Sequence, residues 1–177
     1  MNFPIEYHFS MPNHLTFKIK PIKKLLEKLC FPIEDKVIID PFCNRKHGYA
    51  THYNDINPNN YGSNIDALEW LKLKSNSTVD IILFDPPYSN RQLKECYDNL
   101  GLSLNQDMTQ VYWSNLKKEI SRILKPGGIC ISFGWNTNGI GKNLGFEKTK
   151  IMVLHHGGNH NDTLVLVEKN MQKRLYS

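Results

Sequence analysis

The chain has 177 residues, which suits one domain with its own core, and its 40% hydrophobic and 22% charged residues exclude a largely disordered protein. Its net charge of +5 favours a polyanionic partner without requiring one. No apolar run approaches the roughly 20 residues of a membrane span, and no secretory signal pattern is present, so we expect a cytoplasmic protein without a membrane partner. The four cysteines form no C-x-x-C pair and are expected to be reduced thiols, not zinc ligands.

Hydrophobic periodicity predicts helices that alternate with strands. Ile22, Leu25, Leu26 and Leu29 form the i, i+3, i+4, i+7 stripe of a helix that packs on a core. Short β-branched or apolar runs between the helical stretches indicate strands. In chain order the predicted elements are a helix over Lys20–Leu29, strands over Lys36–Asp40 and Tyr49–Asp55, a helix over Asp66–Lys74, a strand over Val79–Asp85, a helix over Trp113–Leu124 and a strand over Gly128–Gly134.

This alternation predicts an α/β fold with a mostly parallel, doubly wound sheet. Nearly continuous apolar strands such as Val79–Asp85 indicate a sheet that helices cover on both faces, which gives three layers. Two further strand-like runs, residues 150–156 and 162–168, are joined by a turn that contains Gly157 and Gly158. We expect these two runs to form an antiparallel hairpin at one edge of the sheet.

Three of the predicted strands end in an aspartate, namely Asp40, Asp55 and Asp85. Ligands of open parallel sheets bind beyond the carboxyl ends of the strands. An aspartate after a strand also caps turns, but three at one edge point to a ligand with hydroxyl groups or positive charge. The sequence contains no P-loop motif and no G-x-G-x-x-G motif. S-adenosylmethionine, with its sulfonium, ammonium and ribose hydroxyls, is the cofactor that suits these acids.

A second pattern is the corner Asp85-Pro86-Pro87-Tyr88, which directly follows the most apolar strand. The two prolines fix the backbone and remove two N–H donors, so the corner presents chiefly the Asp85 carboxylate and the Pro86 carbonyl as acceptors. Two acceptors match the two N–H groups of an exocyclic nucleobase amine and favour a tetrahedral nitrogen that attacks a methyl group. The Tyr88 ring can stack on an extruded base. We predict that all four residues are catalytic; the alternative is a rigid turn with Tyr88 as packing.

Further motifs occur in a recognisable order along nearly the whole chain. The stretch from Thr16-Phe17 to Lys20-Pro21 precedes the first helix, and Leu124–Gly128 precedes the last parallel strand. Between them stand Asp40-Pro41-Phe42, Asn54-Asp55, Asp66 and Asp85-Pro86-Pro87-Tyr88. This order resembles that of the class I S-adenosylmethionine-dependent amino-methyltransferases of nucleic acids, and it is most similar to that of small phage-type DNA adenine methyltransferases.

The resemblance implies a Rossmann-like methyltransferase fold, S-adenosylmethionine as the cofactor, DNA as the partner, and methyl transfer to N6 of adenine. RNA adenine N6, RNA guanine N2 and DNA cytosine N4 are alternative targets for the same chemistry. A methyltransferase-like subunit that binds without catalysis is a further alternative. The residues to which the resemblance assigns cofactor binding are Phe17, Asp40, Pro41, Phe42, Asp55, Asp66 and Asp85.

The chain departs from the family pattern in the loop after Asp40-Pro41-Phe42. The family usually has a glycine-rich loop and a helix here, whereas residues 43–48 contain one glycine. Only 14 residues separate Asp40 from Asp55, so the first crossover helix is short or missing. Arg45 and Lys46 are exposed in such a loop, either as nucleic-acid contacts or as a solvated surface.

No separate target-recognition domain fits, so residues 1–177 are predicted to form a single methyltransferase catalytic domain. We expect the polar segment Ser89–Tyr112 to order over the extruded base, with Asn90, Arg91 and Lys94 as substrate contacts. Trp135 lies either in the base pocket or in the core. The sequence leaves open a dimer or a recognition partner. No metal site is expected at the histidine-rich final turn, whose residues are His155, His156, His160 and Asp162.

Overall fold

Seven strands form one mixed sheet in the computed structural model, which describes residues 3–102, 106–158 and 160–173. The sheet order is β1-β6-β7-β5-β4-β2-β3, and β7 is the strand that runs against the other six. This confirms the mostly parallel sheet with an antiparallel C-terminal hairpin. The strands are β1 (Ile5–Phe9), β2 (Ile38–Asp40), β3 (His52–Tyr53), β4 (Val79–Phe84), β5 (Leu124–Gly134), β6 (Phe146–His155) and β7 (Thr163–Asn170).

Helices pack on both faces of the sheet, which confirms the three layers. One face holds α1 (Lys20–Cys30), which packs with the apolar side chains of β4, β5 and β7. The opposite face holds α2 (Ala67–Lys72), α3 (Asn90–Asp98) and α4 (Gln106–Ile123). Short 3-10 helices occur at Thr16–Lys18 and Lys142–Leu144. None of the described helices is long and apolar enough to cross a membrane.

The second predicted strand is much shorter than its sequence run suggested. Of Tyr49–Asp55, only His52 and Tyr53 join the sheet, paired with Ile39 and Asp40. No helix lies between β2 and β3, so the short or missing crossover is confirmed for these described residues. The connection is held to β2 by Thr51, whose hydroxyl donates to the Ile38 carbonyl at 2.8 Å and accepts from the Ile38 N–H at 2.9 Å.

The C-terminal hairpin is not at the edge of the sheet, so that part of the prediction is wrong. The N-terminal strand β1, which was not predicted, pairs in parallel with β6 and takes the edge position. Its five residues alternate between partly buried and exposed positions. A pattern of this kind over five residues is a weak signal, and the parallel partner lies far along the chain.

The predicted turn before the last parallel strand is instead an irregular part of β5. The pairing of β4 with β5 shifts register between Val79 and Ile81, where the strand passes through Pro126-Gly127-Gly128. A Cβ on Gly128 would lie 2.6 Å from Leu124 Cδ2 and 2.9 Å from the Lys125 carbonyl oxygen. Gly127 has a φ of +81°. The two glycines therefore let the chain bulge and still re-enter the sheet.

We expect Leu26→Ala in α1 to lower the free energy of unfolding by about 2–5 kcal/mol, because it opens a cavity beneath the sheet. Leu26 is 0% exposed within the core that α1 forms with the sheet. Lys24→Ala, on the exposed side of the same helix, is the matched control and should cost less than about 0.5 kcal/mol. Urea unfolding measures both, and equal losses would contradict this packing.

Candidate active site

A cavity of about 1430 Å³ opens at the carboxyl ends of the central parallel strands. Asp40 at the end of β2, Asp55 just after β3 and Asp85 just after β4 all line it. Parallel strands end at the same edge of a sheet, so these acids meet although they are distant in sequence. The predicted gathering of the strand-end aspartates is therefore found; their role as ligands stays a prediction.

The Asp85–Tyr88 corner is held by hydrogen bonds at both of its ends. The Tyr88 hydroxyl donates to Asp85 Oδ1 at 2.8 Å, so the aromatic ring folds back over the carboxylate. The Tyr88 N–H donates to Gln92 Oε1 at 2.7 Å, and the Gln92 N–H donates to Ser89 Oγ at 3.2 Å. Ser89 is thus the N-cap of α3 and Gln92 reaches back to the corner, which gives the corner one fixed conformation.

Burial controls the charge of the catalytic candidate Asp85. Loss of water around the carboxylate, and to a smaller degree the nearby Asp40 carboxylate, raise its pKa, which is about 6. Hydrogen bonds from Tyr88 and Thr16, and the proximity of His47, act in the opposite direction. Asp85 therefore loses its proton close to neutral pH. Burial together with the Asp85 charge raises the pKa of Tyr88, which stays a neutral donor.

His47 lies in the loop after β2 and forms hydrogen bonds with residues at both ends of that loop. His47 Nε2 lies 2.8 Å from Asp40 Oδ2, and its Nδ1 accepts the Tyr49 N–H at 3.1 Å. Because Nδ1 is an acceptor, Nε2 carries the proton and donates to Asp40. Asp40 Oδ1 accepts the Phe42 N–H at 3.0 Å. Burial raises the pKa of Asp40, and these two donors partly offset that effect.

Asp40, Cys43 and His47 are also the described residues that could hold a metal ion. One ligand atom of each lies within 4.8 Å of the other two. Hydrogen bonds already engage these atoms, however, because the Cys43 thiol donates to the Arg45 carbonyl at 3.0 Å and His47 donates to Asp40. Burial raises the pKa of the Cys43 thiol to about 12, which disfavours the thiolate that metals bind. We therefore assign Cys43 and His47 to loop closure, in which His47 also holds Asp40 at the cavity wall.

Asn54 connects the Asp55 region to the loop after β2. Its side chain is 0% exposed, donates to the Pro41 and Ile65 carbonyls at 3.2 and 2.8 Å, and accepts the Ile65 N–H at 3.1 Å. Asp55 Oδ1 accepts the Asn57 N–H at 2.7 Å. Burial raises the pKa of Asp55. The Asp55 carboxylate is thus fixed at the wall of the cavity while its outer surface stays accessible.

Asp66 is more enclosed than the prediction of a cofactor contact implied. Its Oδ1 caps α2 by accepting the Leu68 and Glu69 N–H groups. Its Oδ2 accepts the hydroxyls of Tyr97 and Tyr112, the latter at 3.0 Å. The tyrosines line the cavity and Asp66 does not. A direct cofactor contact by Asp66 therefore stays a prediction. It requires the hydroxyl of Tyr97 or Tyr112 to move away from Asp66 Oδ2.

The predicted aromatic contacts do face the cavity. Phe17 lines it, with its ring centroid 4.7 Å from that of His47, and so does Phe42. Trp135 is 40% exposed, lines the cavity and lies edge-on to Tyr88 with ring centroids 5.5 Å apart. The interpretation of Trp135 as a core residue is therefore wrong, and its contact with a base stays a prediction.

The segment Ser89–Tyr112, which was expected to order over an extruded base, is largely helical. It forms α3 and the start of α4, and residues 103–105 of the segment lie outside the described residues. Arg91 lies 3.7 Å from Glu95, and Lys94 lies 2.5 Å from Asp98, on the exposed side of α3. Asn90 accepts the indole N–H of Trp113 at 2.9 Å. None of these three predicted substrate contacts lines the cavity, because the helical turn directs them away from it.

A different set of cations surrounds the cavity mouth. Lys18 and Lys23 come from the segment around the start of α1, and Arg45 and Lys46 from the loop after β2. We call these four residues the basic rim. Lys23 lies 3.7 Å from Glu27, and Lys46 lies 5.3 Å from the centroid of the Tyr61 ring. Within the described residues, Lys18, Arg45 and Lys46 form no ion pair, so their charges face solvent at the mouth.

Sequence reasoning did not assign a role to Thr16, His47 or Gln92. Gln92 had a local signal, because Ser89-x-x-Gln92 is the capping-box pattern. Thr16 was part of a motif, but its approach to Asp85 depends on the fold of the N-terminal segment. His47 pairs with Asp40 across a loop that departs from the family pattern, so no motif indicated it.

No protein-family model and no curated protein sequence matches the chain. Solved structures of several other proteins are similar to this one. NSun6 from Pyrococcus horikoshii, solved with SFG, has a TM-score of 0.55 at 13% identity over 84% of this chain and 51% of its own. The N-methyltransferase NodS from Bradyrhizobium japonicum WM9 has a TM-score of 0.55 at 11% identity over 91% and 100%. TrmN from Thermus thermophilus has a TM-score of 0.52 at 15% identity over 86% and 49%.

These similarities establish the fold as the Rossmann-like fold of methyltransferases, as predicted. The chain spans about half the length of TrmN and NSun6 and the whole length of NodS. At identities of 11–15% the similarity extends to the fold and does not transfer a substrate. The site residues of this chain must therefore support the function by themselves.

We expect Asp85→Asn to stabilise the protein more at pH 8 than at pH 4. The pKa of Asp85 is raised to about 6 from 3.8, so its ionisation costs stability as the pH rises through that window. The gain at pH 8 should be about 1–2 kcal/mol, discounted because the carboxylate is partly open to water.

Urea unfolding at both pH values measures this difference. Asp35→Asn, at an exposed aspartate, is the control and should change stability little at either pH. An equal effect of Asp85→Asn at pH 4 and pH 8 would contradict the burial of an ionised carboxylate.

Proposed function

We propose that this protein transfers a methyl group from S-adenosylmethionine to N6 of adenine in DNA. The observation that carries the proposal is the proline-stiffened corner, with the Asp85 carboxylate beside the Tyr88 and Trp135 rings at one cavity. Such a corner combines a hydrogen-bond acceptor for an amine with aromatic surfaces for a base. The coarser activity, methyl transfer, agrees with the fold.

The cavity suits S-adenosylmethionine because it offers carboxylates and aromatic rings together. Asp40 and Asp55, with Pro41, Phe42 and Phe17, are the residues that would hold the cofactor. Carboxylates accept hydrogen bonds from ribose hydroxyls and attract the cationic groups of the cofactor. When bound, the cofactor supplies an electrophilic methyl group. The neighbour NSun6 was solved with SFG, an analogue of this cofactor.

Asp85 and Pro86 would orient the amine. The Asp85 carboxylate and the Pro86 carbonyl accept its two N–H groups, which frees the nitrogen lone pair from the ring. The Tyr88 hydroxyl occupies Oδ1 of Asp85, and a carboxylate has acceptor positions left for the amine. A pKa of about 6 leaves Asp85 mostly ionised near neutral pH and able to take up the proton that the methylated nitrogen loses.

The basic rim supports a nucleic-acid substrate. A nucleotide that enters the cavity brings phosphates to its mouth, where Lys18, Arg45 and Lys46 present charges without ion-pair partners among the described residues. Arg91 and Lys94, the contacts that the sequence predicted, are next to Glu95 and Asp98 and outside the cavity. The rim therefore replaces α3 as the expected phosphate-binding surface.

Labelled S-adenosylmethionine tests the reaction. We expect label in N6-methyladenine after incubation with DNA, and loss of at least about 100-fold in rate for Asp85→Ala, because the amine loses its acceptor. Asp98→Ala, at an exposed aspartate that pairs with Lys94, should keep the wild-type rate. Nucleoside digestion and mass spectrometry identify the product.

The substrate arms of that experiment are duplex DNA, single-stranded DNA and RNA. Label only in RNA would reassign the substrate and keep the chemistry of the corner. Label in N4-methylcytosine would reassign the base. No label with any of them, despite measurable cofactor binding, would contradict enzymatic activity and favour a binding subunit.

The rim is tested by binding to a fluorescent DNA duplex at several salt concentrations. The triple variant Lys18→Ala, Arg45→Ala, Lys46→Ala should bind more weakly, and the slope of log affinity against log salt should fall by about 1 for each lost phosphate contact. Arg91→Ala with Lys94→Ala is the matched control and should leave the slope unchanged. If the double variant lowered the slope and the triple variant did not, the phosphate-binding surface would be α3.

A further inference from the structure

The strand β1 forms one edge of the sheet, and its side chains differ from those that edge strands usually carry. It pairs with β6 on one side, and no described strand pairs with the other side. Three apolar side chains project from the same face of this strand, with Ile5 50%, Tyr7 75% and Phe9 70% exposed. Edge strands of soluble proteins usually carry charges, bulges or covering segments that prevent pairing with another chain. This edge presents apolar side chains instead.

The hydrogen bonds to β6 show which backbone groups are free. The Ile151 N–H donates to the Pro4 carbonyl at 3.1 Å, and the Ser10 N–H donates to the His155 carbonyl at 3.1 Å. The N–H and C=O groups of a strand alternate in direction from one residue to the next, so the even-numbered residues face β6. The N–H and C=O groups of Ile5, Tyr7 and Phe9 therefore point to the free edge.

We propose that β1 pairs with β1 of a second copy of this chain, antiparallel and about a two-fold axis at Tyr7. Tyr7 then lies opposite Tyr7 of the second copy, and Ile5 lies opposite Phe9 of the second copy. These are the residues whose backbone groups are free, so each opposed pair exchanges both of its N–H···O bonds. The two sheets become one continuous sheet, and the interface is the same surface on both copies.

The side chains favour a second copy over an unrelated strand. On the apolar face, Ile5, Tyr7 and Phe9 repeat symmetrically about the axis, so an apolar residue always meets an apolar residue. On the other face the same register places Glu6 opposite His8 of the second copy. Glu6 and His8 have side chains 41% and 38% exposed. Within one chain Glu6 lies 2.7 Å from Lys150 and 3.5 Å from His8, so this face of the strand is polar on both sides of the axis. The strand is thus complementary to itself in polarity, because apolar residues lie opposite apolar residues and polar residues lie opposite polar residues.

Light scattering after gel filtration tests the assembly. The full chain should have twice its monomer mass at micromolar concentration and dissociate on dilution. Tyr7→Glu places two like charges opposite each other at the axis and should leave the monomer, while Tyr61→Glu, at a 47% exposed tyrosine away from β1, should stay dimeric. A monomeric wild type, or a Tyr7→Glu variant that stays dimeric, would overturn the proposal.

Cysteine cross-linking tests the register in a Cys96→Ser background, because Cys96 is an exposed free thiol. Opposed residues in a hydrogen-bonded antiparallel pair have Cα atoms about 5.5 Å apart, which a disulfide can bridge. Tyr7→Cys should therefore form a covalent dimer on oxidation.

Ile5→Cys is the matched control, because the two copies of residue 5 are about 13 Å apart in this register. It should not cross-link by itself, but Ile5→Cys with Phe9→Cys should. Cross-linking of Ile5→Cys alone at the rate of Tyr7→Cys would contradict the two-fold axis at Tyr7.

Discussion

The candidate site depends on keeping carboxylates close to one another while much of their water is removed. Burial raises the pKa of Asp40, Asp55 and Asp85, so each needs donors to stay ionised. The chain supplies them locally: His47 for Asp40, the Asn57 N–H for Asp55 and the Tyr88 hydroxyl for Asp85. Because the Asp40 carboxylate also raises the pKa of Asp85, the end of β2 and the corner after β4 form one electrostatic unit.

The N-terminal strand links the sheet edge to this unit. The chain leaves β1 at Phe9 and continues as the segment 12–17, which lines the cavity and brings Thr16 to Asp85. His156 fixes that passage, because its Nδ1 lies 2.6 Å from the Ser10 carbonyl oxygen and its Nε2 lies 2.9 Å from Thr163 Oγ1. The segment that follows this parallel edge strand thus forms one side of the site.

The sequence predicted the parts of the fold that depend on local pattern. The stripe in α1 and the apolar runs of β4 and β5 were visible, and the corner Asp85–Tyr88 stood out by its chemistry. What it did not predict depends on distant partners: the pairing of β1 with β6, and the enclosure of Asp66 by Tyr97 and Tyr112. Arg91 and Lys94 lie outside the cavity because helix periodicity in α3 decides their direction, and a polar composition does not.

The loop after β2 explains how the chain departs from a glycine-rich pattern without losing the cavity. A glycine-rich loop offers backbone N–H groups to a ligand, whereas this loop divides its side chains between two surfaces. Cys43 and His47 turn inward, where the Cys43 thiol bonds to the Arg45 carbonyl and His47 bonds to Asp40. Arg45 and Lys46 are thereby held outward at the mouth of the cavity. The hydrogen bonds that hold Asp40 inside the cavity therefore also hold Arg45 and Lys46 outside it. One short loop thus connects the interior of the site to the surface that a polyanion would meet.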